Sequence, residues 1–362
     1  MDLDYQDHEA TPRSRKRNRK GGYRPASLSE ATSSIQFSQP ESPARSNSPV
    51  KDLLNELRSA KPTIDYQQLD GVNLPATVRE LIQKLNTDFG QAYVPLGLKA
   101  KLEEAATSAQ FAKESIYNRN NTLVEVGSLW EEVMEIYDEA RCCKVYSRDE
   151  GAWSSKVVQP LMTLALDKKS IFQWENITTQ GFDRCFLPRT NYLPISKKAD
   201  LAWTFSRKHP EVAPLYQRLS LAGQGTSLSH LMDPYTSKLA VYNGFEIKKT
   251  AGSEDESLAQ LAIFLACLLR NMKDLRRRAQ RKGGNTLVRE GRAKATTPLD
   301  DSGSGPAAQE NRDNEHIEVL PVLGWTIVGH HWSTYIAWSS PEDGENVVSF
   351  FTWSHFHITK SR

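Results

Sequence analysis

One stretch near residue 260 constrains the fold more than any other. Leu258, Leu261, Ala262, Leu265, Leu268, Leu269, Met272 and Leu275 recur three and four residues apart, which lines them along one face of a helix. On both sides the period shortens to that of strands. FQWENITTQ, ADLAWTF and KLAVYNGFEIKKT precede the helix, and IEVLPVLGWTIVGHHWSTYIAWS and NVVSFFTW follow it; all are β-branched and aromatic runs of strand length. Upstream, Val78, Leu81, Ile82 and Leu85 share one helical face, and Leu123, Val126, Leu129, Trp130, Val133, Met134 and Ile136 share another. A third helix is expected from Asp149 to Asp167, bent at Pro160, because proline removes an interior hydrogen bond and clashes with the preceding turn. Helices, then strands, then a long helix, then strands predict a mixed α/β (α+β) core.

The 362 residues are enough to bury such a core, and the 46 Lys and Arg nearly balance 44 Asp and Glu, for a net charge of +2. That balance excludes a wholly basic coat or an acidic disordered chain, but it conceals local blocks. Residues 1 to 70, rich in Ser, Pro, Arg, Gln and Glu, are expected to be a disordered tail. Within it Arg13, Arg15, Lys16, Arg17, Arg19 and Lys20 have no acid between them, which suits an importin groove or a phosphate backbone, or else a merely solvated tail. Residues 71 to 362 are left to carry the fold. They are interrupted by an expected disordered insertion at 279–314, where GGN, TTP and DSGSGP occur without apolar periodicity. Residues 270 to 294 hold ten Lys and Arg against Asp274 and Glu290. No stretch approaches the roughly 18 apolar residues of a membrane span, and the N-terminus lacks a signal-peptide core. An intracellular protein is expected, with the nucleus as its destination if the basic cluster is a signal. The four cysteines form no CxxC pair, and reduced thiols are expected.

Two carboxylates stand in otherwise apolar strands: Asp200 before Leu201, Ala202 and Trp203, and Glu246 between Phe245 and Ile247. Alternation puts Glu246 and Lys248 on the same face of their strand. Two carboxylates and a main-chain carbonyl are oxygen donors of the kind that hold Mg²⁺, while a lysine steadies charge on a phosphate or serves the attacking water. In that reading Asp200, Glu246 and the carbonyl of Ile247 hold the metal and Lys248 serves the water. Surface ion pairs with Lys197, Lys198, Lys248 or Lys249 are the competing reading. His330 and His331 are expected to be structural, and His355 with His357 lacks a third zinc ligand. Neither a GxxxxGK[ST] loop nor a GxSxG element is present.

The setting adds to this. A helix with Glu150, a strand with Asp200, a strand with Glu246-Ile247-Lys248 and an amphipathic helix with Gln260 together resemble the PD-(D/E)XK nuclease superfamily, whose core is a restriction-endonuclease-like αβββαβ unit. More closely, EGAWSSKVVQPLMTLAL, NITT, SKKADLAW, FEIKKT, AQLAIFLACLL and VLGWTIVGHHW are similar to the fungal PD-(D/E)XK nuclease-like domain. The resemblance implies hydrolysis of nucleic-acid phosphodiester bonds with Mg²⁺ or Mn²⁺. It assigns metal binding to Asp200, Glu246, Ile247 and Glu150, and a water or substrate contact to Gln260 beside Lys248. Ala199 stands where the family's proline would be, and the interval from Asp200 to Glu246 requires an excursion at 206–238. The alternative is a catalytically inactive nuclease-fold module that binds nucleic acid or protein. Arg270, Lys273, Arg276 and Arg277 are candidates for phosphate contact, against the alternative of a solvated helix end.

Overall fold

The structure, a computed structural model, describes residues 49–68, 74–89, 92–105, 114–118, 126–166, 169–190, 199–221, 227–292, 320–340 and 344–353. In chain order the helices and strands are α1 (Pro49–Ser59), β1 (Thr63–Gln68), α2 (Ala76–Phe89), β2 (Val94–Pro95), α3 (Lys99–Ala105), β3 (Tyr117–Asn118), α4 (Val126–Val145), α5 (Glu150–Trp153), α6 (Gln159–Ala165), β4 (Phe172–Asn176), β5 (Leu201–Phe205), α7 (Ala213–Leu221), β6 (Val241–Lys248), α8 (Glu254–Arg292), β7 (Val322–Val328), β8 (His331–Ser340) and β9 (Gly344–Trp353). Short β2 and β3 pair with each other, and the other strands form a seven-stranded mixed sheet in the order β1-β9-β8-β7-β6-β5-β4.

The centre of this sheet explains the leucine-rich helix. β6 is antiparallel to β5 and parallel to β7, so the chain must recross the sheet between β6 and β7, and α8 makes that crossing. It starts where Ser253 accepts a hydrogen bond from the Glu256 N–H at 3.2 Å, with Glu254, Asp255 and Glu256 in its first turn. The cap satisfies one free donor, and the acids suit the positive end of the dipole. From Leu258 to Leu269 the apolar stripe is buried. Close seating requires two glycines that pair directly across the ladder, Gly244 on β6 and Gly324 on β7. A Cβ at Gly244 would meet the Phe264 ring at 2.4 Å, and one at Gly324 would meet Leu261 and Leu265 at 2.9 and 3.0 Å.

Alternation along β6 then divides its side chains. Gly244, Glu246 and Lys248 face α8. Phe245 and Ile247 face the other way and pack with Trp153, Val157 and Met162 beneath Ala140 and Cys143 of α4. On that same face α2 covers Leu323, Ile336 and Trp338 through Val78, Leu81, Ile82 and Leu85. Helices thus cover both faces of β6, and all but Tyr242 of its residues are buried for that reason, the charged Glu246 and Lys248 included.

Several boundaries differ from the expected ones. The segment 49–68 is folded, not part of a disordered tail: β1 adds in parallel to β9 at the sheet edge, and Leu57, Ala60 and Ile64 are 1%, 1% and 2% exposed. The polar composition of the first seventy residues hid this local apolar set. Likewise α8 runs on to Arg292, so residues 279–292 are helix where a disordered insertion was expected; Lys and Arg are good helix formers. The helix expected over Asp149–Asp167 is α5, one wider turn at Ser154–Val158, and α6. In that turn the Gln159 N–H donates five residues back to Ser154, and Pro160 follows near the start of α6. The excursion at 206–238 includes α7, and Tyr216 secures it: its hydroxyl donates to the Phe205 carbonyl and accepts from the Ala240 N–H, both at 2.9 Å. The basic cluster Arg13–Lys20, residues 293–314, and His355 and His357 lie outside the described residues. All four cysteines are free thiols.

His330 is in the turn between β7 and β8, where its ring meets Trp153 edge-on; its role there is packing. His230 is unusual among the histidines. It is fully buried, packs against Phe182 and Phe264, and neither ring nitrogen has a hydrogen-bond partner. Burial pushes its pKa down to about 3. The folded state therefore refuses a proton that the unfolded chain accepts near pH 6.5, so stability is complete above that pH and falls as the pH drops toward 3. The expected slope in that window is at most about 1.4 kcal/mol per pH unit, and His230→Leu should flatten it. Denaturant midpoints at a series of pH values between 7 and 4 check this, and parallel curves for the two proteins would contradict it.

Candidate active site

The C-terminal end of β6 carries two charges into the core. Glu246 is 1% exposed and Lys248 6%, and the Lys248 ammonium lies 3.1 Å from Glu246 Oε1. Their placement two residues apart on an alternating strand makes the contact inevitable, since both side chains leave the sheet toward the start of α8. There Gln260 accepts a hydrogen bond from Lys248 Nζ at 3.2 Å and donates through Nε2 to Glu256 at 2.9 Å. Glu256 itself lies 3.9 Å from the ammonium. Glu150, half-exposed at the first position of α5, approaches to 3.6 Å. Its place is fixed by Asp149, which caps α5 by accepting from the Ala152 N–H at 2.8 Å.

Asp200 arrives from the neighbouring strand. Its main-chain N–H donates to the Phe245 carbonyl at 3.0 Å, and its carbonyl accepts from the Ile177 N–H at 2.9 Å, so the position just before β5 is held between β4 and β6. Its side-chain Oδ2 accepts from the Ile247 N–H at 2.7 Å. Within a strand, the N–H and C=O of one residue point to the same side, and successive residues alternate. Lys248 directs its carbonyl to Gly329, after β7. Ile247 therefore directs its carbonyl toward β5, the side on which the Asp200 carboxyl sits.

The electrostatics follow from dryness and crowding. Burial pushes the Glu246 carboxyl well above the usual carboxylate range, and the neighbouring Asp200 pushes it further, against the pull of Lys248. Asp200 is raised by burial too, although the Ile247 N–H and Lys248 oppose the rise. For Lys248 burial works toward losing the proton, but the Glu246 carboxylate and its hydrogen bond outweigh it, and the ammonium is raised above its ordinary value. Glu246 Oε2 is buried without a hydrogen-bond partner.

The structure thus gathers Glu150, Glu246, Lys248 and Gln260, with Asp200 alongside through Ile247. Among the described residues no three His, Cys, Asp or Glu stand as a ready group for a metal. The Lys248 ammonium lies among Glu150, Glu246 and Glu256, 3.6, 3.1 and 3.9 Å from their oxygens. Glu256 was missed in the sequence, although its i, i+4 spacing to Gln260 puts both on one helical face. Arg270, Lys273, Arg276 and Arg277 do not join this site. Arg270 is ten residues beyond Gln260 on α8, about 15 Å along the helix axis, toward the opposite end of the sheet.

A family model of the PD-(D/E)XK nuclease superfamily matches residues 98–357. That interval contains the crossover β6–α8–β7 and every residue of the candidate site. No curated protein and no solved structure gives a significant match to the chain. Matched over most of its length by that family model, and folded as a mixed sheet with helices on both faces, the chain belongs to the PD-(D/E)XK nuclease superfamily.

Proposed function

We propose that the protein is a nuclease that hydrolyses phosphodiester bonds of nucleic acid with a divalent cation, Mg²⁺ or Mn²⁺, held by Asp200, Glu246 and the Ile247 carbonyl. The observation that carries this reading is Glu246: a carboxyl group in the core, beside a second carboxylate, with one oxygen lacking any partner. Lys248 pairs with one oxygen of this buried carboxyl, the other is left unpartnered at a free-energy cost, and a hard cation among oxygen donors would offset that cost. A cation there supplies Lewis-acid polarisation of the phosphoryl group and makes water more acidic.

The other residues take their parts from the contacts described. Glu150, on the solvent side, orders water in front of Asp200 and Glu246. The Lys248 ammonium, whose proton burial disfavours and the Glu246 carboxylate favours, offers a donor and positive charge toward the phosphoryl oxygens. Gln260 fixes the ammonium's direction and is itself fixed by Glu256.

A second reading has its own support. Lys248 already neutralises Glu246 at 3.1 Å, as expected of a nuclease-fold module that binds nucleic acid or protein without turnover. Intracellular and nuclear placement, with an importin engaging Arg13–Lys20, belongs equally to the proposal; no described helix is long and apolar enough to cross a membrane.

Glu246→Gln and Asp200→Asn should each fold and lose Mg²⁺ binding, by more than the roughly 10–100-fold typical of an outer-shell change. Calorimetric titration near neutral pH measures it, and coincident wild-type and variant isotherms would remove these carboxylates from the site.

Lys248→Met, which keeps the stem and deletes the charge, should slow cleavage by about 10²-fold or more, the usual loss for a charge-stabilising group. Single-turnover kinetics on a labelled duplex and a labelled single strand provide the readout. Undiminished rates would assign Lys248 a structural role only, and no cleavage by wild type on either substrate would favour the binding module.

A further inference from the structure

Far from the carboxylates, the later turns of α8 face a cleft of about 530 Å³ whose other walls come from residues 61–62 and 184–189. Seven cations line it against one carboxylate, Asp274. Arg270, Lys273, Arg277 and Arg278 come from α8, and Lys61, Arg184 and Arg189 come from the two opposite segments. The walls are knit together by main-chain bonds. Lys61 and Arg189 exchange N–H to carbonyl hydrogen bonds at 2.9 and 3.0 Å, and Arg270 Nη1 donates to the Phe186 carbonyl at 2.7 Å. Asp274 is engaged by Arg277 and Arg278. Lys61, Arg184, Arg189 and Lys273 are exposed, and no carboxylate among the described residues pairs with them.

We infer that this cleft is a second contact for nucleic acid, a groove that grips the phosphate backbone of a strand at the end of the sheet remote from Lys248. Arg270, Arg277 and Arg278 have partners within the fold, but Lys61, Arg184, Arg189 and Lys273 add like charges that repel one another unless an anion joins them. The excess of six positive charges exceeds that of a single phosphate. From Arg270 to Arg278 the helix advances about 12 Å, long enough to meet more than one successive phosphate of a strand. Nucleic acid, among polyanions, is chosen because the proposed function supplies it. Of the four cations that the sequence pointed to, Arg270, Lys273 and Arg277 line the groove and Arg276 does not.

Cys185 makes the groove observable. It lines the cleft and is exposed, whereas Cys143 and Cys267 are buried and Cys142 is intermediate. In a Cys142→Ser background, maleimide labelling of Cys185 is followed with and without a twenty-nucleotide single strand in EDTA, where cleavage cannot complicate binding. The strand should slow labelling several-fold. Arg184→Gln with Arg189→Gln should abolish that protection and lower the slope of log affinity against log salt by about 1.4, two phosphate contacts on a single strand. Labelling that the strand leaves unchanged, or a slope unaltered by the double substitution, overturns the groove. So does equal protection by inorganic tripolyphosphate or polyglutamate at matched charge, which would make it a site for small or acidic anions. Cleavage assayed separately keeps the two proposals apart. Metal-dependent cleavage without protection leaves the nuclease standing and the groove refuted, and protection without cleavage does the reverse.

Discussion

Burial of Glu246 and Lys248 at the end of an apolar strand is the constraint around which the rest of the molecule is arranged. Taking a carboxylate and an ammonium out of water costs several kcal/mol per ion, and their attraction offsets this only with good geometry and further hydrogen bonds. The 3.1 Å contact between them is one part of the compensation; Gln260, Glu256 and Glu150 supply the rest. Each of those partners depends on a local device elsewhere. Asp149 sets where α5 begins, and with it Glu150. Ser253 sets where α8 begins, and with it the register of Glu256 and Gln260. The glycine pair Gly244 and Gly324 lets α8 lie close enough to β6 for Gln260 to reach Lys248. Even after this compensation Glu246 retains an unpartnered oxygen, which a structural ion pair leaves unexplained and a metal ligand does not.

Much of this was legible in the sequence because it is encoded by short-range periodicity. The face shared by Glu246 and Lys248 follows from alternation, and the crossing helix follows from leucines three and four residues apart. Legibility ended where long-range pairing decides the outcome. The α1–β1 segment reads as polar tail because its few apolar residues, Leu57 and Ile64 among them, are a minority of their window; only docking against α8 and β9 makes them core. Residues 279–292 read as a break because GGN outweighs the surrounding helix formers. Glu256 was overlooked because an acid in the first turn of a helix already has a reason to be there, the dipole. Lys61, Arg184 and Arg189 carry no shared pattern in one dimension, and only the fold brings them to the basic end of α8.

α8 links the two regions to which function is assigned. Its first turns complete the environment of Lys248, its middle fills the core, and its later turns carry Arg270 to Arg278. Charge is segregated along it, with acids at the end that faces the ammonium and cations at the end that faces the cleft. The near-zero net charge of the whole chain conceals that polarity. If both proposals hold, a strand too short to span the roughly 15 Å of α8 from Gln260 to Arg270 engages only one of the two regions.

Whether Asp200, Glu246 and the Ile247 carbonyl hold a divalent cation can be seen by anomalous diffraction from crystals of the full chain soaked in Mn²⁺. An anomalous peak is expected within coordination distance of both carboxylates and that carbonyl, as for a hard cation on oxygen ligands. Saturating Mn²⁺ with no peak there, and with Glu246 still bonded only to the Lys248 ammonium, would contradict it.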